Sequence, residues 1–253
     1  MTRLDEYRER YANIHFDRQD GILLIRLHTE GGPLRWGALD GSIHTQLGEA
    51  FYQVARDLEN KVVILTGTGD VFCDNMNYAE LPSEPMSKVW PRLQREGQDL
   101  LMQLLDIPVP VIGAINGPAH IHAELPALSD IVLASSHADI ADQAHFIHGV
   151  VPADGVQVVW PMLLGHNRSR YFLLTGQRLS AHQALELGVV SEVLAPERLL
   201  ERAWDLAREL AAKPAATLRY TRTVFVQPFK RRMLEELGYG LALEGLGSVA
   251  AQA

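Results

Sequence analysis

Four of the ten histidines crowd into one stretch, as His120, His122, His145 and His148, and Asp154 stands just beyond them. Imidazole titrates near neutrality, so such a cluster suits proton transfer or metal binding. His145 lies in Asp142-Gln143-Ala144-His145-Phe146, just after a strand-like run, and Asp154 follows in a loop carrying Pro152 and Gly155. That loop can fold back. Asp154 would then fix the His145 tautomer and stabilise its cation, giving a His–Asp dyad able to take a proton from water. His120 and His122 are two apart, so in an extended segment they face the same way and, with His145, His148 and Asp154, offer a zinc site as the alternative. His-x-His is not a specific motif, and no metal is expected. The plain reading of any one of these histidines is a surface or hydrogen-bonded structural residue. Gly67-Thr68-Gly69 lacks the third glycine or Lys-Ser/Thr of a phosphate loop and reads as a turn. Cys73 has no positive local environment and reads as a structural thiol.

The elements that must position these groups alternate. Residues 13–17 and 21–28 are strand-like runs around an Asp20-Gly21 turn signal, which is a β-hairpin. Ile43, Leu47, Phe51, Val54 and Leu58 recur at helical spacing. Val62-Val63-Ile64-Leu65 is a short apolar run of buried-strand type, a loop rich in Gly, Asp and Asn follows, and a helix is expected over 90–105. Strands at 109–115, 131–134 and 138–140 surround a short segment at 124–128. Strands alternating with helices imply parallel βαβ units and an α/β fold. From Val158 onward the chain reads as mostly helical, with helices at 167–175, 180–187, 196–213, 214–226 and 230–249 and one strand at 189–194. Residues 1–253 read as a single domain, with a core to about 195 and a helical region from about 196. The stripe Met233, Leu234, Leu237, Leu241 needs cover from the core or from another subunit, so an oligomer is expected.

Composition narrows the function. The chain has 253 residues, 47% hydrophobic and 21% charged, which suits one large globular unit. A formal net charge of −8 with dispersed Lys and Arg argues against nucleic acid. One cysteine cannot form an internal disulfide, and the N-terminal residues lack the apolar core of a secretory signal, so the cytoplasm is expected. No apolar run approaches the roughly 20 residues that span a bilayer.

The order of segments resembles the enoyl-CoA hydratase/isomerase (crotonase) superfamily. The resemblance rests on Val62-Val63-Ile64-Leu65-Thr66-Gly67-Thr68-Gly69-Asp70-Val71-Phe72-Cys73, Val111-Ile112-Gly113-Ala114-Ile115-Asn116-Gly117-Pro118-Ala119, Ser129-Asp130-Ile131-Val132-Leu133-Ala134, Tyr171-Phe172-Leu173-Leu174-Thr175-Gly176 and Ala184-Leu185-Glu186-Leu187-Gly188-Val189-Val190. It implies a crotonase-like ββα superhelix with a helical C-terminal trimerisation region. The superfamily's acyl-CoA members hold a thioester oxygen between two backbone N–H groups, at positions where glycine lets the substrate approach. Here the first loop is Phe72-Cys73-Asp74-Asn75-Met76-Asn77-Tyr78 and the second is His120-Ile121-His122-Ala123-Glu124, and neither keeps a glycine. Glu124 falls where the first hydratase acid would be, and His145 replaces the second.

Those departures, with Trp36, His44, His122, His145, Asp154 and Glu244, resemble the β-diketone hydrolase branch typified by 6-oxocamphor hydrolase. The resemblance implies cofactor-free retro-Claisen hydrolysis of a cyclic 1,3-diketone to a keto acid. His145 and Asp154 would activate water, and His122 would hold or protonate the enolate. Trp36, His44 and Glu244 would bind substrate, although the loop between Trp36 and His44 differs in length from that branch and Trp36 also reads as a core aromatic. The partners expected are a small diketone and other copies of the chain, as a homotrimer or dimer of trimers. The alternative is an enoyl-CoA hydratase/isomerase-type enzyme acting on an acyl-CoA.

Overall fold

In the computed structural model, which describes residues 2–252, a short helix α1 (Leu4–Tyr7) leads into the expected hairpin. Strands β1 (Ile14–Gln19) and β2 (Ile22–Leu27) pair antiparallel with Gln19 opposite Ile22, so Asp20 and Gly21 alone make the turn. Both have positive φ, 53° and 85°, as a two-residue I′ turn requires.

From β2 onward one unit recurs: a long buried strand, a short segment in a second sheet, then a helix. The first is β2, β3 (Leu34–Trp36) and α2 (Ile43–Arg56). The next is β4 (Val62–Thr66), β5 (Cys73–Met76) and α3 (Met86–Asp106). Then come β6 (Val111–Ile115), a bridge at Ala119 and α4 (Glu124–Ala127). The fourth is β7 (Ile131–Ser135), β8 (Asp139–Ile140) and α5 (Val156–Leu164). Helix α6 (His166–Thr175), β9 (Leu179–Ser180), α7 (Ala181–Glu186) and β10 (Glu192–Leu194) follow, and then α8 (Pro196–Ala211), α9 (Ala215–Phe225) and α10 (Gln227–Ala250).

The long strands form one sheet in the order β1-β2-β4-β6-β7-β10, parallel from β2 on. The short segments stack beside it, β3 on β5, Cys73 on Ala119, Ala119 on Ile140, and β8 on β9. This is the ββα superhelix in physical terms. Both faces of the long sheet are covered, which is why its strands read as unbroken apolar runs. Leu23, Ile25, Val63, Leu65 and Val111 face the larger core with α2, α3, α5 and α10. Ile22, Leu24, Val62, Ile64 and Ile112 face Leu199, Ala203 and Ala207 of α8.

Several expectations shift. Helix α2 stops at Arg56, and Leu58 lies exposed beyond it, because Asp57 leaves the helix to accept from Tyr7 and Arg18. Helix α3 begins at Met86, with Pro91 inside it, and α5 contains Pro161. Proline reads as a helix boundary, yet each of these is the sixth residue of its helix, past the first turn, and gives up one backbone hydrogen bond without ending the helix. Strands β3 and β5 fall where the sequence reads as loop, since three or four residues carry no period. On α10, Met233, Leu237 and Leu241 are buried as expected, but Leu234 is 76% exposed. Among the described residues, no helix is long and apolar enough to cross a membrane.

Candidate active site

Trp36, His44, His122, His145, Asp154 and Glu244 line one cavity of about 140 Å³, beneath α10 and beside α3. Each is less than 9% exposed. Trp36 ends β3 and lies flat on His122, with ring centroids 3.8 Å apart and 29° between planes. It meets His44 of α2 edge-on at 6.0 Å.

The backbone explains how His122 reaches the cavity. The N–H groups of His120 and Ile121 both donate to the Cys73 carbonyl, at 2.8 and 3.1 Å. His122 then turns to a φ of +52°, a left-handed conformation uncommon for a side chain of this size. So His120 and His122 do not share a face, contrary to the reading of an extended segment. His120 bonds Asp139 at 2.9 Å and, with His148, lines a neighbouring cleft. The five residues weighed as zinc ligands are thus divided between two cavities.

The expected dyad is also corrected. His145 Nδ1 is bonded to Asp142 Oδ1 at 2.7 Å, not to Asp154. Asp142 is three residues back in the same turn, where its carboxylate also accepts from the Ala144 N–H, so local geometry delivers it first. Asp154 stands at the mouth of α5 and leans on Gly97 of α3, where an added Cβ would come 2.7 Å from Oδ1. Its other oxygen lies 4.0 Å from His122 Nε2.

A common plan emerges. His122 Nδ1 faces Glu124 Oε1 at 2.7 Å, His145 Nδ1 faces Asp142, and His44 Nδ1 faces Glu96 Oε2 at 2.9 Å. A carboxylate on Nδ1 fixes the tautomer and leaves Nε2 to act. His145 Nε2 is 4.0 Å from Glu244 Oε1, matching the His122–Asp154 gap. Both gaps are too long for a hydrogen bond and suit an intervening small group. Asp142 Oδ2, Asp154 Oδ1 and Glu244 Oε2 are buried without a hydrogen-bond partner.

Charge is tightly coupled here. Burial opposes protonation of His145, but the Asp142 hydrogen bond and charge, with Glu244 and Asp154, outweigh it and raise the imidazole to about 9. His122 is raised likewise, with Glu124 and then Asp154 overcoming burial. Burial, then the charge of Asp154, pushes the Glu244 carboxyl up to about 8. Each of His145 and Glu244 depends on the other's charge, so they titrate as a pair rather than singly. At neutral pH that pair is proton-rich.

A family model described as enoyl-CoA hydratase/isomerase matches residues 17–241. The chain belongs to this family. Within the enoyl-CoA hydratase/isomerase family it is 43% identical to a β-diketone hydrolase from the cyanobacterium Anabaena sp. PCC 7120, solved bound to (S)-3-oxocyclohexyl acetic acid. That match covers 98% of each chain with a TM-score of 0.94. An enoyl-CoA hydratase/isomerase from Mycobacterium paratuberculosis, 24% identical over 95% of each chain, shares the fold with a TM-score of 0.85. The 1,2-epoxyphenylacetyl-CoA isomerase of Escherichia coli (strain K12) is 32% identical over 200 residues, 78% of this chain and 75% of that protein. The chain is therefore an enzyme-family member with the crotonase fold.

Sequence reasoning missed Asp142 as the His145 partner, Glu96 as the His44 partner, and Trp90, which lines the cavity from α3. Asp142 carried a signal, the three-residue spacing within the motif itself. Glu96 carried none, since 52 residues separate it from His44.

Proposed function

We propose that this protein hydrolyses a C–C bond of a cyclic 1,3-diketone, by cofactor-free retro-Claisen cleavage, to give a keto acid. The observation that carries this reading is the pair of imidazole–carboxylate arrangements facing each other across one cavity, Asp142–His145 with Glu244 and Glu124–His122 with Asp154. One can make a nucleophile from water while the other serves the departing carbon. Similarity to a β-diketone hydrolase supports it.

A water bonded at about 2.8 Å to both His145 Nε2 and Glu244 Oε1 would span their 4.0 Å gap at an angle of about 90°. Once the pair has lost its extra proton, it takes one from this water as oxygen attacks a carbonyl carbon. The tetrahedral adduct collapses, the C–C bond breaks, and its electrons pass into the second carbonyl as an enolate. Trp36 donates its indole N–H to that oxygen. His122, whose cationic form Glu124 and Asp154 favour against burial, delivers a proton to carbon. His44 and Glu244 complete the polar wall.

The cavity, about 140 Å³, is on the scale of the roughly 150 Å³ cavities that accept benzene, which fits a compact ring. (S)-3-oxocyclohexyl acetic acid is a keto acid, and joining its carboxyl carbon to a carbon beside the ketone, with loss of water, regenerates a bridged bicyclic 1,3-diketone. That class is the substrate expected here. The second reading, an acyl-CoA hydratase or isomerase, is favoured by the family and by the Escherichia coli relative. Against it, Glu124 is occupied by His122, and the His120 and Ile121 N–H groups are spent on Cys73.

Mass spectrometry of a panel of bicyclic and monocyclic 1,3-diketones beside short acyl-CoAs decides between them. Diketone cleavage in ¹⁸O water should place one label in the new carboxylate. Turnover of acyl-CoA alone, or micromolar CoA binding by calorimetry, would restore the second reading. We also infer a homotrimer or dimer of trimers as the working form.

A further inference from the structure

Hydrolysis of a neutral diketone makes a carboxylic acid that ionises near neutral pH. Every turnover therefore leaves one proton to be discharged from a cavity whose polar residues are almost wholly buried. Three imidazoles border the cavity, and each has a carboxylate on Nδ1. Two of those carboxylates are sealed: the side chains of Glu124 and Asp142 are 2% and 3% exposed. The third, Glu96, is 13% exposed and stands in the wall of a separate surface cleft of about 530 Å³ between α2 and α3.

The boundary between cavity and cleft is one residue pair thick. His44 lines the cavity, and Glu96, with Thr45 and Arg92, lines the cleft. His44 Nδ1 meets Glu96 Oε2 at 2.9 Å, Arg92 holds the same oxygen at 2.7 Å, and the Thr45 hydroxyl donates to Oε1 at 3.1 Å. Arg92 also donates to the Ala38 carbonyl at 2.7 Å, tying α3 to the loop before α2.

On the reading proposed above, we infer that the His44–Glu96 pair is the proton exit of the active site. His44 Nε2 takes the proton from the cavity, and Nδ1 passes its own to Glu96, which gives it up to water in the cleft. The ring then carries its proton on Nε2 and is reset by a half-turn that brings the protonated nitrogen back to Glu96 before the next turnover. Burial works to raise the Glu96 carboxyl, but hydrogen bonds from His44 and Arg92 outweigh it and hold it below the usual range. A carboxylate that stays ionised hands a proton on instead of storing it. Asp40, Glu49 and Asp99 stand farther out in the same cleft as acceptors, with Arg10 and Arg95 among them.

The test compares two clocks in one reaction, ring opening by quenched flow and proton appearance by a pH-indicator dye in weak buffer. In the unaltered protein both should run together. In Glu96→Gln, which keeps the shape of the side chain, proton appearance should lag ring opening roughly tenfold, and His44→Gln should show the same lag. The second variant stands in if the first fails to fold. Overturning results are proton release in step with ring opening in both variants, or both clocks slowed equally, which would make the pair a positioning device. No ring opening by the unaltered protein would instead sink the diketone reading itself.

Discussion

A histidine that must hand over a proton needs one nitrogen committed and the other free, and the cavity solves this three times with a carboxylate on Nδ1. The free Nε2 of His122 faces Asp154 and that of His145 faces Glu244, each at 4.0 Å. If His122 serves the enolate, its loss should cost transition-state more than ground-state binding. His122→Ala should then lower kcat about a hundredfold, roughly 3 kcal/mol, with a smaller change in KM. His120→Ala should matter much less, because His120 is bonded to Asp139 in the adjoining cleft. Steady-state kinetics with His120→Ala as the crippled variant would reverse the assignment. The pH profile follows from the same groups. Glu244 is raised to about 8 and must be ionised for the pair to act as base, so kcat/KM should climb as pH rises through about 8. On the same reading His122 delivers a proton, and Glu124 with Asp154 favours its protonated form against burial, so the rate should fall again once that proton is lost. A rate independent of pH from 6 to 9 would remove the pair from the chemistry. All six expected site residues meet in one cavity, yet the pairing among them was not legible. Which carboxylate reaches which imidazole depends on a positive φ at His122 and on a turn that brings Asp142 under His145, and neither is a matter of spacing alone.

Helices α3 and α10 set the width of the cavity. Trp90 of α3 donates its indole N–H to the Leu241 carbonyl at 3.1 Å, one turn before Glu244. Its ring lies across Gly245, where an added Cβ would fall 2.1 Å from Trp90 Nε1. Gly240 similarly leaves room for the Ala153 carbonyl and Gln157. Glycine inside a helix ordinarily costs about 0.5–1 kcal/mol against alanine, so Gly245→Ala would stabilise α10 if the space were open. Here overpacking of about 1–3 kcal/mol should win. The variant should melt earlier, and a shift of Glu244 by even 1 Å can cost on the order of a hundredfold in rate. Adding Trp90→Leu should recover part of the melting temperature, a coupling that calorimetry of the double variant reads directly. An unchanged or higher melting temperature in Gly245→Ala would show that the helices are not in this contact. The long elements were legible because they carry a period: the hairpin, β4, β6, β7, α2 and α8 lie within a few residues of expectation. Of the second sheet only β8 was legible, at 138–140; β3, β5 and β9 were not, because segments of two to four residues carry no period and exist only through their neighbours.

Across the whole molecule, α10 has two apolar faces and only one is used within the chain. Leu237 and Leu241 turn inward beside Glu244, while Tyr239, Leu243 and Leu246, spaced four and three apart, form a stripe on the opposite side. They are 70%, 40% and 68% exposed, and Tyr220, Val224 and Phe225 of α9 add to the apolar surface of this region. Single exposed apolar residues are unremarkable, but this stripe runs along the helix that carries Glu244, so on the proposed reading its cover would bear on the cavity. Covering it with other copies of the chain would hold α10 against α3 and fix Glu244 over His145. Sedimentation of the unaltered protein should therefore give an assembly, and a multiple of three chains if the inferred trimer is the working form. Placing a charge in the stripe, as in Leu246→Glu, should shift the protein toward single chains and lower diketone turnover, with secondary structure by circular dichroism kept. The decisive outcome is the pairing of the two losses: a single-chain protein with full turnover would show that α10 holds its place unaided, and a single-chain unaltered protein would remove the assembly from the account altogether.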